Sequence, residues 1–219
     1  MQRAWWGTPL ASDGDLLPTY ERTGGDPSLL DRTFDGSFDW LRGAEPATDW
    51  GIGASDVDRV YELAPAEALD VSTREQGLAL PVALTTFLSD PGLIARIRSF
   101  TGCWLDVPTR PVWSGHAQGH VVRVLADQQG VLFWYVVLDG PEREAVVVST
   151  DLLDPDRTGS PIDTDEESEM VRCADDLESF LYRFWLENEI EFRRSAGEPL
   201  DPVQTAYLAR LRAARPRKA

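Results

Sequence analysis

The chain has 219 residues, which is enough for one domain with its own apolar core. It carries 37 acidic and 21 basic side chains, and the resulting net charge of -16 disfavours binding to nucleic acids or anionic lipids but suits a basic protein partner. Its two cysteines cannot form a disulfide framework or a four-ligand zinc site, and the absence of a signal-peptide core or of about 18 consecutive apolar residues predicts a cytosolic location.

Residues 1–54 combine aromatic side chains with many turn-forming residues and show little regular periodicity. We expect an irregular layer that large side chains attach to a core, with a partner-binding surface as the alternative. The aromatic residues concerned are Trp5, Trp6, Phe34, Phe38, Trp40 and Trp50.

Residues 55–214 are predicted to form an α+β domain, which opens with two short helices. The first covers residues 55–64, with Ser55 as its cap and Pro65 after its end. The second begins near Pro81, since proline suits a first helical turn, and it ends at residues 90–92, where Asp, Pro and Gly follow one another.

Four strands are predicted next, over residues 103–107, 120–126, 131–138 and 145–150. The third is a nearly continuous apolar run, which is typical of a central strand covered on both faces. Short connections between the last three strands favour an antiparallel meander. The polar, acidic residues 154–169 then predict a loop.

Two helices are predicted to follow the strands. Asp175 and Glu178 have capping-box spacing before a helix that runs to about Phe192, and Asp201 with Gln204 marks the start of a last helix. Residues 215–219 form a basic tail. Strands grouped between helices indicate an α+β fold with a mostly antiparallel sheet flanked by helices.

Metal sites find little support in the sequence. His116 and His120 lie four residues apart in a glycine-rich segment that is not helical, so this spacing does not place them on one face. Asp154, Asp156 and Gly159 follow part of a calcium-binding loop, but an aspartate, Asp165, stands where a bidentate glutamate is usual. No metal and no cofactor is expected.

Catalytic motifs are also absent, because the sequence contains no nucleophile elbow, phosphate-binding loop or dinucleotide fingerprint. Cys103 is interpreted as a small core residue. Glu187 and Glu191 share one face of the predicted helix, and Asn188 lies on its apolar stripe, where we expect it to be buried and hydrogen-bonded to the backbone. No catalytic residue is expected.

Four segments suggest a family. Residues 77–81 are a leucine-proline start to a helix, and residues 124–135 are a strand pair with an aromatic centre. Residues 145–149 are a valine-rich strand, and residues 179–189 belong to a closing aromatic helix. With this order, residues 77–211 resemble the SUKH superfamily, which groups Smi/Knr-type regulators with bacterial immunity proteins. The resemblance implies a mostly antiparallel sheet packed by helices, no catalytic residues, and binding to a toxin.

The sequence therefore favours a non-enzymatic protein-binding module, with an immunity protein that neutralises a basic toxin as one form of it. Charge complementarity between an acidic antidote and a basic toxin agrees with this interpretation. The alternatives are a metal-dependent hydrolase that uses His116 and His120, and a scaffold with an unknown partner. Neither nucleic acid nor membrane is an expected partner. The candidate partner-binding residues are Asp163, Asp165, Glu166, Glu167 and Glu169.

Overall fold

A computed structural model describes residues 1–10, 22–24, 26–53, 66–154 and 169–214. The predicted helix over residues 55–64, nearly all of the predicted acidic loop and the basic tail lie outside these ranges. The described helices are a 3-10 turn at Pro27–Leu29, α1 (Asp39–Arg42), α2 (Ala66–Glu75), α3 (Val82–Ser89), α4 (Pro91–Ile94), α5 (Leu177–Ser195) and α6 (Pro202–Ala213). The strands are β1 (Trp104–Leu105), β2 (Val112–Ser114), β3 (Gly119–Ala126), β4 (Phe133–Val137), β5 (Val146–Ser149) and β6 (Met170–Ala174).

The six described strands form one antiparallel sheet in the order β1-β3-β4-β5-β6, with β2 beside β3. β1 and β2 share one edge, because β1 pairs with the C-terminal end of β3 and β2 pairs with its N-terminal end. At the opposite edge the N-terminal segment runs alongside β6, where Ala4 N–H donates to the Arg172 carbonyl at 3.0 Å and Arg172 N–H donates to the Gln2 carbonyl at 2.9 Å. The predicted α+β class and the predicted antiparallel meander are confirmed.

The main core lies between the sheet and the helices. Every residue of β4 and β5 is buried, as the apolar runs predict for central strands. Trp134 of β4 packs on Phe180 of α5 in this core, and Cys103 is buried there too, as expected. Tyr135 and Val147 point to a second cluster on the other face of the sheet. The alternation follows from the two-residue period of a strand.

The helix α3 begins immediately after Pro81, as predicted, but the prediction that Asp90 only ends this helix was incomplete. Asp90 also caps α4, because its carboxylate accepts a hydrogen bond from Gly92 N–H at 2.9 Å and Pro91 suits the first turn. α6 begins after Asp201, as predicted, and Asp201 and Gln204 form a capping box there. Within the described residues, no helix has the length and apolar character that a membrane span requires.

The predicted capping box of α5 was wrong by one residue. Asp176 and Ser179 form the box, with Ser179 N–H donating to Asp176 Oδ1 at 2.7 Å. Asp175 instead forms ion pairs with Arg3 and Arg172. Glu178, the other predicted member, is buried and directed at the N-terminal segment, so neither carboxylate is available to cap the helix.

Candidate partner-binding surface

The acidic residues proposed from the sequence are only partly described by the structure. Asp163, Asp165, Glu166 and Glu167 lie outside the described residues. Glu169 forms an ion pair with Arg22, and its side chain stays 44% exposed. The Arg22 guanidinium in turn lies over the Trp6 ring, 4.4 Å from its centroid. Glu169 therefore helps to attach the N-terminal segment to the start of β6.

Glu178 of α5 attaches a loop of the N-terminal segment. Its Oε2 accepts hydrogen bonds from the backbone N–H groups of Asp35 at 3.0 Å and Gly36 at 2.6 Å. Its Oε1 accepts from Phe38 N–H at 2.9 Å and from Trp40 Nε1 at 3.0 Å. A buried carboxylate with four donors has its acceptor capacity filled, so its role is structural.

Glu187, about two and a half turns further along α5, attaches the beginning of the chain. Its Oε2 accepts hydrogen bonds from Trp5 Nε1 at 2.8 Å and from the Thr8 hydroxyl. Its Oε1 accepts from Arg183 Nε at 2.9 Å and from the Tyr207 hydroxyl. Burial raises the pKa of Tyr207 well above its ordinary value, so its hydroxyl stays a donor. These buried polar groups are hydrogen-bonded to one another, so their role is structural.

These networks confirm that aromatic residues attach the N-terminal layer to the core, since Trp5 and Phe38 are fully buried. The expectation for Asn188 is confirmed as well: its Nδ2 donates to the Phe184 carbonyl at 2.8 Å, and its Oδ1 accepts from Phe100 N–H at 2.6 Å. The exception among the N-terminal aromatics is Trp50, whose side chain is 53% exposed.

The two histidines occupy different environments. His116 lies in the exposed turn between β2 and β3. His120 lies in β3, where its backbone N–H donates to Asp139 Oδ1 at 2.5 Å and its Nδ1 lies 3.0 Å from Asp139 Oδ2. No group of three potential metal ligands occurs in the ranges that the structure describes. Most of the residues that follow part of a calcium-binding loop lie beyond these ranges.

Trp113, which the sequence did not single out, is the most exposed tryptophan among the described residues, at 55%. It lies directly opposite His120 in the pairing of β2 with β3. The two rings meet edge to face, with 5.2 Å between centroids and 77° between planes. Asp139 therefore holds His120, and His120 holds one side of Trp113.

The backbone beneath these side chains is tightly fitted. A Cβ on Gly119 would collide with the Asp139 carbonyl oxygen, and a Cβ on Gly140 would collide with the Gln118 carbonyl oxygen. Only glycines allow the turn before β3 and the turn after β4 to approach this closely. We call the surface formed by Trp113, His120 and Asp139 the hairpin corner.

Asp139 gives the hairpin corner a negative charge. Burial raises its pKa, but the hydrogen bonds from the backbone and the ring of His120 lower it by more, and the pKa lies below its usual value. The side chain remains 36% exposed. An ionised carboxylate thus contacts the same histidine as an aromatic ring that is open to solvent.

Two other features lie on the surface: the exposed Trp50 and a groove beside α2. Trp50 has a left-handed backbone, with φ of 56°, that is held by Ser99 N–H donating to its carbonyl at 2.9 Å. A groove of about 480 Å³ runs between the outer face of α2 and the segment around Arg110, with Glu67 and Glu75 among its walls. Neither feature combines an exposed aromatic ring with a carboxylate held in place as the hairpin corner does.

Comparison with known proteins finds no family model, curated protein or solved structure that matches this chain. The resemblance to the SUKH superfamily therefore stays a prediction from sequence motifs.

Proposed function

We propose that this protein is a non-enzymatic binding module that captures a basic protein partner through the hairpin corner. An immunity protein that neutralises a basic toxin is the form of this function that the sequence motifs favour. The observation that carries the proposal is the exposed Trp113 ring, fixed on an edge strand by His120 and Asp139.

An exposed tryptophan contributes little to folding, because about half of its apolar surface stays in water. The same ring becomes strongly favourable when a partner covers it, and tryptophan is enriched among residues that dominate binding energy. Trp113 is also held on one side before binding, which lowers the entropy lost when the complex forms.

Electrostatics supports a basic partner. The net charge of -16 attracts cationic proteins over a distance of about a Debye length, roughly 8 to 10 Å, and speeds their encounter. The buried carboxylates of Glu178 and Glu187 do not take part, because their acceptor sites face donors inside the protein. Exposed acids such as Asp139 remain for contact with a partner.

The test compares two tryptophans with nearly equal exposure, Trp113 at 55% and Trp50 at 53%. Tagged wild-type protein, Trp113→Ala and Trp50→Ala are used to capture proteins from native lysate, and the bound proteins are identified by mass spectrometry. We expect a stoichiometric basic partner that salt releases, that Trp50→Ala retains and that Trp113→Ala loses.

Retention of the same partner by Trp113→Ala would contradict the assignment of the hairpin corner. Loss with Trp50→Ala alone would move the interface to the loop around Trp50. Stoichiometric zinc or manganese in the purified protein, measured by elemental analysis, would instead favour the metal-dependent hydrolase.

A further inference from the structure

We infer that the hairpin corner binds an arginine side chain of the partner, with the guanidinium stacked on the Trp113 ring and hydrogen-bonded to Asp139. This inference rests on the proposed function and specifies the chemistry of the ligand. It follows from the free surface of the ring, from the acceptor capacity left on the carboxylate and from the local charge.

The indole surface of Trp113 is suited to a planar cation. His120 contacts the ring edge to face, and 55% of the tryptophan remains open to solvent. A guanidinium over an indole face gains cation–π attraction, and tryptophan is the best aromatic partner for it. Within this protein, Arg183 already lies over Trp5 with 4.2 Å between its guanidinium carbon and the ring centroid.

The carboxylate of Asp139 keeps acceptor capacity for a ligand. A carboxylate offers about four acceptor positions, two on each oxygen. His120 N–H occupies one position on Oδ1, and His120 Nδ1 occupies one on Oδ2. The Asp139 backbone N–H also stabilises the ionised carboxylate, and the acceptor capacity that remains can take an N–H group of a guanidinium.

This geometry favours arginine over lysine. An ammonium group is a compact point charge, whereas a guanidinium is planar and can stack on a ring while it donates two hydrogen bonds sideways. Asp139 and Trp113 both contact the His120 ring, and we place the guanidinium across that ring, where it meets both groups. A lysine could satisfy either group but would not use both fully.

The charged groups that the structure describes in the turn after Asp139 have other partners. Glu142, in the turn after Asp139, accepts from Arg172 at 2.7 Å and pairs with the N-terminal amine at 3.2 Å. Arg143 lies 3.6 Å from Glu144, which neighbours it in the chain. Besides His120, no cationic side chain in the described part of the chain forms an ion pair with Asp139.

The test is an NMR titration of ¹⁵N-labelled full-length protein with the peptide acetyl-Gly-Arg-Gly-amide. The comparison peptides replace arginine by citrulline, which is its neutral isostere, or by lysine. We expect saturating shifts at the Trp113 indole N–H, which a Trp113→Phe spectrum assigns, and binding that is at least about tenfold weaker for citrulline because the charge is lost.

Three variants separate the groups involved. We expect Asp139→Asn and Trp113→Leu each to weaken binding of the arginine peptide by about fivefold or more. Glu75→Gln, which removes an exposed carboxylate on α2, should leave the affinity unchanged. Trp113→Leu leaves the pairing of Asp139 with His120 intact, so the test does not depend on how well Asp139→Asn folds.

Equal binding of the arginine and citrulline peptides, unchanged affinity in Asp139→Asn, or no shift at Trp113 up to about 50 mM peptide would overturn the inference. These results differ from a failure of the proposed function. If Trp113→Ala loses the lysate partner while arginine shows no preference, the function stands and the arginine site does not. If the peptide binds as expected but Trp113→Ala still captures the lysate partner, the arginine site stands and the proposed function does not.

Discussion

Replacing Glu187 by Gln tests whether one buried carboxylate attaches the N-terminus to the rest of the protein. The side chain is fully buried and accepts from Trp5, Thr8, Arg183 and Tyr207. A glutamine keeps the volume but offers one oxygen and one NH₂ group. If the oxygen faces Arg183 and Tyr207, the NH₂ group faces the Trp5 indole N–H, which can only donate.

The expected loss in free energy of unfolding follows from the buried polar groups that Glu187→Gln leaves without a partner. The Arg183 guanidinium is buried and would lose its anionic partner, and removing one member of a buried ion pair costs about 3 to 5 kcal/mol. A small hydroxyl such as that of Thr8 can rotate to accept from the new NH₂ group and recover part of the loss. We therefore expect the free energy of unfolding to fall by about 3 kcal/mol, the lower end of this range.

The assay is urea unfolding at pH 7, followed by tryptophan fluorescence and far-UV circular dichroism. The matched control is Glu191→Gln, one turn further along α5, where the replaced carboxylate is also buried but has only a 3.4 Å contact with Arg194. We expect the control to change stability by about 1 kcal/mol or less. Equal effects of the two substitutions would refute the role assigned to Glu187.

Three further predictions follow from single residues. Burial raises the pKa of Glu191, so this carboxyl stabilises the folded state at low pH and loses that contribution as pH rises from 4.5 through its folded pKa. Urea unfolding should therefore show Glu191→Gln gaining stability relative to wild type over that pH range. A stability difference that does not change with pH would contradict this prediction. Gly140→Ala should lower the free energy of unfolding in urea by about 1 to 3 kcal/mol more than Gly130→Ala does. Both glycines have positive φ, but only a Cβ at position 140 meets the Gln118 carbonyl oxygen. Equal free energies of unfolding for the two variants would argue against the close approach of the two turns. Trp50→Gly should be about 1 kcal/mol more stable than Trp50→Ala in thermal unfolding, because only glycine relieves the left-handed backbone, and the reverse order would contradict that strain.

Sequence reasoning succeeded where local chemistry decides the structure. The apolar run around β4 predicts a covered central strand, and Asp201 with Pro202 and Gln204 predicts the start of α6. Both signals lie within a few consecutive residues. The burial of Asn188 was predictable for the same reason, since it follows from the helical period of its neighbours.

Elements that depend on distant contacts were missed. β6 has Arg172 at its centre, so its pattern is not that of a buried strand, and it is paired on its outer side by residues from the N-terminus. α2 buries only Leu69 and Thr73, which is too weak a stripe for its period to be recognised. The cap of α5 moved by one residue because Arg3 binds Asp175, and this contact joins residues 172 positions apart.

The candidate site was missed for a related reason. Trp113, His120 and Asp139 belong to three separate segments, and only the register of β2 with β3 and the contact between two turns bring them together. The notable signal in the sequence was a tryptophan shortly before a glycine-rich histidine segment. That signal names the residues but not their arrangement.

The attachment of the first residues to α5 has a consequence for synthesis of the chain. Glu187, the acceptor of Trp5, is synthesised 182 residues after it. At about 5 to 20 residues per second, the aromatic N-terminus has no acceptor for about 10 to 40 s. During that time Trp5 lacks the carboxylate that accepts from it in the folded protein, and its ring is exposed to water and to other nascent chains.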